Sequence, residues 1–146
     1  MMVVECHSVE ETHSFAARLA KKIPSGSVIG LIGNLGTGKT TFTQGFAHAL
    51  KIDERVGSPT FKLVSEYNGD PHYLFHIDCY RLENITDFLN IGGEEFLMPE
   101  NGVTLMEWAD IIQDILPAET IFIKFLRIQD KPDSRKLLVE GFNGEI

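Results

Sequence analysis

Residues Gly33 to Thr41, GNLGTGKTT, place three glycines, one lysine and three threonines in a single short turn. Gly33, Gly38, Lys39 and Thr40 satisfy the pattern G-x-x-x-x-G-K-[ST]. The chemistry this predicts is capture of a nucleoside triphosphate. Glycines let the backbone bend around an anion without Cβ clashes, so successive amides can converge on it as a nest. A helix leaving the turn adds the partial positive charge of its N-terminus. Lys39 is placed to reach the β- and γ-phosphates, and the Thr40 hydroxyl to take a position on Mg²⁺.

Such a turn needs an acidic partner for the metal, commonly at the end of a neighbouring strand. Two apolar runs end in a carboxylate: HYLFHID at Asp78, and GVTLME at Glu107, which Trp108 follows. Position alone does not choose between them. Strand alternation across HIDCYR predicts His76, Asp78 and Tyr80 on one face, with Ile77, Cys79 and Arg81 on the other. Taken singly, His76 reads as a packed core histidine. Gly57-Ser58-Pro59-Thr60-Phe61 follows the helix that leaves the glycine-rich turn, where segments that sense a γ-phosphate or position water tend to lie. A proline turn with ordinary hydroxyl capping accounts for the same residues equally well.

The elements that must hold these groups follow from periodicity and punctuation. Ser27 to Ile32 is a short apolar run suited to a buried strand, and Thr40 to Leu50 reads as the helix after the turn, weakened slightly by Gly45. Before them, VVEC suits a first strand. Ser8-Val9-Glu10-Glu11 has the form of a capping box opening a helix whose buried face carries Phe15, Leu19 and Ile23, with Pro24, Ser25 and Gly26 ending it. Phe61 to Tyr67 and His72 to Tyr80 read as a hairpin around Asn68-Gly69-Asp70-Pro71. A helix is predicted from Thr86 to Leu97, a strand over GVTLMEW, and a helical turn or two over Asp110 to Leu116, stopped by Pro117. Two last strands, TIFIKFLRI and RKLLVEGF, flank the polar loop QDKPDS. The expected fold is a single α/β domain over residues 1–146, with a mixed sheet flanked by helices and carrying antiparallel hairpins.

Composition excludes several classes. The 146 residues are about one domain's worth, and 43% hydrophobic content with 10 Phe provides for a core. A formal charge of −8 disfavours unaided binding of DNA or RNA, which rests largely on Lys and Arg neutralising phosphates, and no basic run appears. No apolar stretch approaches the roughly 18 residues of a membrane span, and MMVVECHSVEE lacks the pattern of a signal peptide. Cys6 and Cys79 have neither metal-site nor CxxC spacing, so they are expected as small buried residues in a reduced, cytoplasmic setting.

Together, GNLGTGKTT, SPTF, HIDCYR, IGGEEFL and the pair Glu107-Trp108, in that order, resemble the bacterial TsaE family of P-loop ATPases. The resemblance runs from the SVEETHSFA segment to Arg135, nearly the whole chain. A P-loop alone would match hundreds of families; this ordered set in so short a chain is far more specific. It implies a P-loop NTPase-like fold whose ATPase activity supports the threonylcarbamoyl transferase proteins TsaD and TsaB in modifying adenosine 37 of tRNA, with tRNA contacted only indirectly. It implies that Lys39 holds phosphate, that Thr40 and Glu107 hold Mg²⁺, and that Asp78 is a functional acid. It carries the nucleotide-binding role to Gly33, Asn34, Leu35, Gly36, Thr37, Gly38, Lys39, Thr40 and Thr41, to Ser58, Thr60 and Trp108, and to Thr12 beside the base. Two positions depart from the family pattern: Cys79 stands in place of leucine, and Gly93 in place of a bulkier residue, which would loosen a partner-facing helix.

A small-metabolite kinase is the alternative enzyme class. Such enzymes usually clamp the transferred phosphoryl group with lid arginines. Arg18, Arg55, Arg81, Arg127 and Arg135 are scattered along this chain, with no evident lid. A nucleotide-dependent binding switch with little turnover is a third reading, differing from the ATPase only in rate.

Overall fold

Strand β2, Val28–Ile32, is the axis around which the protein is built, and all five of its residues are apolar or glycine. In the computed structural model, which describes residues 1–34, 36–56 and 63–146, β2 pairs in parallel with β5 (Gly102–Glu107) on one side and β6 (Ile121–Ile128) on the other. Strand β4 (Tyr73–Asp78) extends the parallel block beyond β5. Antiparallel strands close both flanks: β3 (Val64–Tyr67) beside β4, and β7 (Lys131–Glu140) followed by β1 (Met2–Cys6) beside β6. The sheet order is β1-β7-β6-β2-β5-β4-β3. The chain leaves β2 for β3 at one edge of the sheet, and from β5 it later crosses over β2 to β6; in open α/β sheets such a switch point places ligands at the carboxyl ends of the strands.

Helices α1 (Val9–Lys22) and α2 (Lys39–Ala49) cover one face. Phe42 of α2 lies at the centre of an aromatic group there, with ring centroids 6.0 Å from Phe15, 6.1 Å from Phe46 and 5.8 Å from Phe125. Each such buried ring contributes about 1.5–3 kcal/mol, more than helix propensity supplies to an 11-residue segment containing glycine. Gly45 does not weaken the helix where it matters. A Cβ there would stand 2.7 Å from the Cα of His13, so the missing side chain lets α1 and α2 close on each other. Ser8 caps α1 by accepting from the Glu11 amide at 3.1 Å, but the return bond of the expected capping box shifts by one residue: Glu11 Oε2 accepts from the His7 amide.

The opposite face is covered by shorter pieces. The predicted helix from Thr86 to Leu97 is two segments, α3 (Ile85–Asn90) and a 3-10 turn at Gly93–Leu97, separated by Gly92 at φ 74°. Gly93 is a packing requirement here and not a loosening. The Phe88 ring occupies the space its side chain would take, 2.4 Å from a Cβ at that position. A further 3-10 stretch, Ala109–Ile115, packs Ala109 and Ile112 onto the same layer. The expected loop QDKPDS is mostly strand, because β7 begins at Lys131 and its ladder with β6 is irregular between Arg127 and Ile128. Among the described residues no helix is long and apolar enough to cross a membrane.

Candidate nucleotide site

The glycine-rich turn lies at the carboxyl end of β2 and opens α2, as strand-then-helix flanking predicts. Gly36 and Gly38 have φ of 75° and 107°, left-handed values that a side chain rarely tolerates. These two residues turn the chain so that Lys39 starts a helix aimed at the crevice. The Thr37 hydroxyl donates to the Asn34 carbonyl at 2.6 Å, stiffening the loop from within. Lys39 is buried and donates to the carbonyls of Gly33 and Asn34. Its ammonium also sits 3.7 Å from the centroid of the Trp108 ring. Burial pulls its pKa down, against the opposing charges of Glu107, Asp110 and Asp78.

The structure separates the two acidic candidates. Asp78 and Glu107 are directly paired at the ends of adjacent parallel strands, but only Glu107 lines the cavity of about 340 Å³ beside Gly36, Gly38, Lys39, Thr40 and Thr41. Its Oε1 faces the Thr40 hydroxyl at 3.4 Å, and its Oε2 is 2.7 Å from His76 Nε2. Asp78 stands beside this pair, half-buried, and accepts from the Tyr80 amide at 3.0 Å. Burial raises its pKa; the Tyr80 amide opposes the rise and the Glu107 charge adds to it. Strand β4 ends at Asp78, so the predicted alternation holds for His76 and Asp78 and stops before Tyr80. Tyr80 instead packs its ring 5.0 Å from Trp108. Cys79 is fully buried, and burial first, then Asp78, pushes its thiol up to about 12, which leaves it inert.

Trp108 has φ 58°. A left-handed conformation at a bulky residue costs of the order of 1–3 kcal/mol and gathers at functional sites. Its effect here is geometric: the chain reverses right after Glu107, so carboxylate and indole both face Lys39.

A hydroxyl and a carboxylate oxygen facing each other beside an anion nest suit Mg²⁺, which takes hard oxygen ligands, keeps several waters and shares one or two carboxylates with substrate phosphates. Among the described residues no cluster of three or more His, Cys, Asp or Glu forms an all-protein metal cage, and this donor set does not require one. A second cavity of about 380 Å³ adjoins the first through Gly38, Thr41 and Arg135 and is lined by His7, Ser8, Val9, Thr12 and Pro132, leaving room for a nucleoside next to the phosphate nest. Thr12 lines this second cavity. Leu35, Ser58 and Thr60 lie outside the described residues, as does the expected start of a strand at Phe61.

Sequence spacing missed two arginines. Arg127 and Arg135 face each other across the β6–β7 ladder. Arg135 donates from Nε to the Thr37 carbonyl at 3.2 Å and from Nη2 to that of Gly36 at 3.3 Å. The Arg127 guanidinium lies 3.1 Å from where a Gly36 Cβ would be. Like charges directly opposite are unfavourable in a ladder, yet here both guanidinium groups lie beside the same loop, and Arg135 binds it. An acidic chain thereby assembles a cationic rim that no basic run announces.

Comparison with known proteins bears on these features. Residues 6–137 match the profile of the family described as "Threonylcarbamoyl adenosine biosynthesis protein TsaE". The chain is 41% identical over 128 residues to the tRNA threonylcarbamoyladenosine biosynthesis protein TsaE of Bacillus subtilis, covering 88% of this chain and 78% of that one. It is 36% identical over 123 residues to the protein of the same name from Treponema pallidum, covering 84% and 90%. Its fold is similar to the crystal structure of Bacillus subtilis YdiB, with a TM-score of 0.74 and 34% identity over 93% of this chain and 82% of the other.

Proposed function

This chain belongs to the TsaE family, and from that footing we propose that it is a P-loop ATPase serving tRNA threonylcarbamoyladenosine synthesis. It binds ATP with Mg²⁺ in the cytoplasm and acts with the TsaB and TsaD transferase proteins on adenosine 37. The observation that carries the nucleotide reading is the convergence of Lys39, Thr40 and Glu107 on one cavity, with the Thr40 hydroxyl 3.4 Å from the Glu107 carboxylate.

Each group has a distinct task. The amides of the turn and the first turn of α2 face the phosphates. Lys39, whose ammonium now donates to the Gly33 and Asn34 carbonyls, would exchange those acceptors for phosphate oxygens. Thr40 and Glu107 would hold Mg²⁺, which would supply positive charge to offset that of the phosphates. Asp78 keeps a proton more readily than an ordinary aspartate because it is half-buried, which suits a group that orients and deprotonates the attacking water. Arg135 spends its donors on the carbonyls of Gly36, Thr37, Pro132 and Ser134. It clamps the loop and does not act as a finger on the γ-phosphate. Hydrolysis by the chain alone is therefore slow, because an arginine supplied by a partner is worth roughly 10³–10⁵ in rate.

The test is reconstitution of tRNA threonylcarbamoylation with TsaB and TsaD, with and without this protein, while ATP hydrolysis is followed in parallel. The reading expects faster turnover on assembly and repeated rounds of modification. A small metabolite phosphorylated stoichiometrically with ADP formation, in the absence of any protein partner, would replace it with the kinase.

A further inference from the structure

We propose that His76 is a positioning residue for the metal site: its Nε2–H donates to Glu107 and fixes which oxygen of that carboxylate faces Thr40. The inference rests on Thr40 and Glu107 being the Mg²⁺ ligands, and it concerns a side chain that does not line the cavity.

Three observations carry it. His76 and Glu107 are 0% and 2% exposed, so water cannot replace the 2.7 Å bond between them. The β4–β5 register sets His76 opposite Leu105 and Asp78 opposite Glu107. His76 and Glu107 therefore project from the same face, one step apart on neighbouring strands. With Oε2 held by the imidazole, Oε1 is the oxygen turned towards the Thr40 hydroxyl. Finally, His76 Nδ1 has no hydrogen-bond partner among the described residues. A proton on Nδ1 would bury an unpaired donor, so the network assigns the proton to Nε2, where it points at the carboxylate.

The other buried histidine of this layer shows what a purely structural role looks like. His72 satisfies both nitrogens, Nε2 with the Ile23 carbonyl at 3.1 Å and Nδ1 with the Ser25 hydroxyl at 2.9 Å. Among the described residues, His76 has one hydrogen-bond partner, and that partner is Glu107. A donor that orients a carboxylate ligand typically changes metal affinity 10–100-fold when removed.

The experiment titrates Mg²⁺ against ADP binding, read by calorimetry and by Trp108 fluorescence, in the native protein and in His76→Leu, His76→Gln and His76→Asn. Glutamine can place an amide N–H near the position of Nε2; asparagine is too short. The midpoint for Mg²⁺ is expected to rise about 10–100-fold in His76→Leu and His76→Asn and to return most of the way in His76→Gln. Nucleotide affinity without Mg²⁺ should stay unchanged throughout. Should His76→Leu fail to fold, the contrast of Gln with Asn decides. A midpoint within twofold of native in folded His76→Asn, or Gln no better than Asn, overturns the positioning role while leaving the metal site standing. A native protein whose ADP binding ignores Mg²⁺ overturns the site and this role together.

Discussion

The two ends of the central strands are built on opposite terms. At the carboxyl ends of β2 and β5 the chain gathers Lys39, Thr40, Glu107 and Arg135 around a cavity of about 340 Å³. At the amino ends lies a cavity of about 980 Å³ bordered by Pro24, Val28, Leu97, Met98, Pro99, Ile115, Pro117 and Phe142, among others. The smaller one has two glycines of the turn, a buried ammonium and a carboxylate with both oxygens engaged. The larger one has proline-rich loops and apolar side chains, and the charged residues on its border, Lys22, Glu94 and Glu119, come from separate segments of the chain. Size does not locate the chemistry; convergent dipoles and charges do, because an anion must recover in the protein what it gives up in water.

The sharpest way to break that contrast is Lys39→Ala. A hydrogen bond to a charged group is worth about 1.5–3 kcal/mol, so ATP affinity should fall roughly 10–100-fold. Hydrolysis should fall further, because the same ammonium meets charge that develops in the transition state. The fold should survive, since Lys39 packs at the rim of α2 while Phe42 and Phe46 anchor it. Calorimetry on the folded variant checks it, and unchanged affinity and turnover would falsify the nucleotide site outright. The same titration followed by Trp108, the sole tryptophan, should change in native protein. Drawing Lys39 onto phosphate removes the cation 3.7 Å from its ring.

How much of this was legible beforehand depended on whether the signal was local. The placement of the glycine-rich turn was, because its four signature residues lie between an apolar run and a helix. The helix α1, its Ser8 cap and the β3–β4 hairpin were legible for the same reason. The choice between Asp78 and Glu107 was not, since both end apolar runs and only the crossovers of the sheet decide which one meets Thr40. Arg127 and Arg135 were invisible because an irregular ladder, and not a fixed spacing, sets them opposite each other. The break at Gly92 did have a local signal, the adjacent pair Gly92-Gly93, and the expected single helix ran through it, whereas the tight approach of Gly93 to Phe88 is a tertiary fact.

Gly93→Ala perturbs the layer that leads into the larger cavity. Its Cβ would meet the Phe88 ring at 2.4 to 2.7 Å, and overpacking of a filled core typically costs about 1–3 kcal/mol. Chemical denaturation should show that loss while ATP affinity stays at the native value. A parallel loss of affinity would mean that the two ends are coupled.

Asp78→Asn tests the polar end with the opposite sign. Burial raises the folded pKa of Asp78 above its unfolded value, so the native carboxyl contributes stability that is full at low pH and is lost as pH rises through the folded pKa. An amide never ionises and can still accept from the Tyr80 amide. The variant should therefore gain on the native protein as pH rises from about 4 to 7, by a fraction of a kcal/mol at this half-buried position, while its ATP turnover falls. Equal stability across that range would show that burial does not penalise the carboxylate.

The smallest expected effect lies at the amino end, in Thr120→Val. Thr120 is 3% exposed and borders the larger cavity, and its hydroxyl has no hydrogen-bond partner among the described residues. A buried hydroxyl without a partner carries a desolvation cost that a methyl group of the same shape does not. Valine should thus leave stability unchanged or raise it by up to about 1 kcal/mol. The backbone bond from the Thr120 amide to the Pro117 carbonyl keeps the local turn. The comparison with His76 gives the substitution its meaning, because His76 Nδ1 and Thr120 Oγ1 are both buried polar atoms without a hydrogen-bond partner among the described residues. At the carboxyl end the other nitrogen of that ring serves Glu107, so its loss should cost metal affinity. At the amino end the hydroxyl serves no group at the nucleotide site, so ATP and Mg²⁺ affinities should match the native protein within measurement. A drop in either affinity in Thr120→Val, with the fold intact, would make the larger cavity part of the nucleotide machinery and erase the distinction between the two ends.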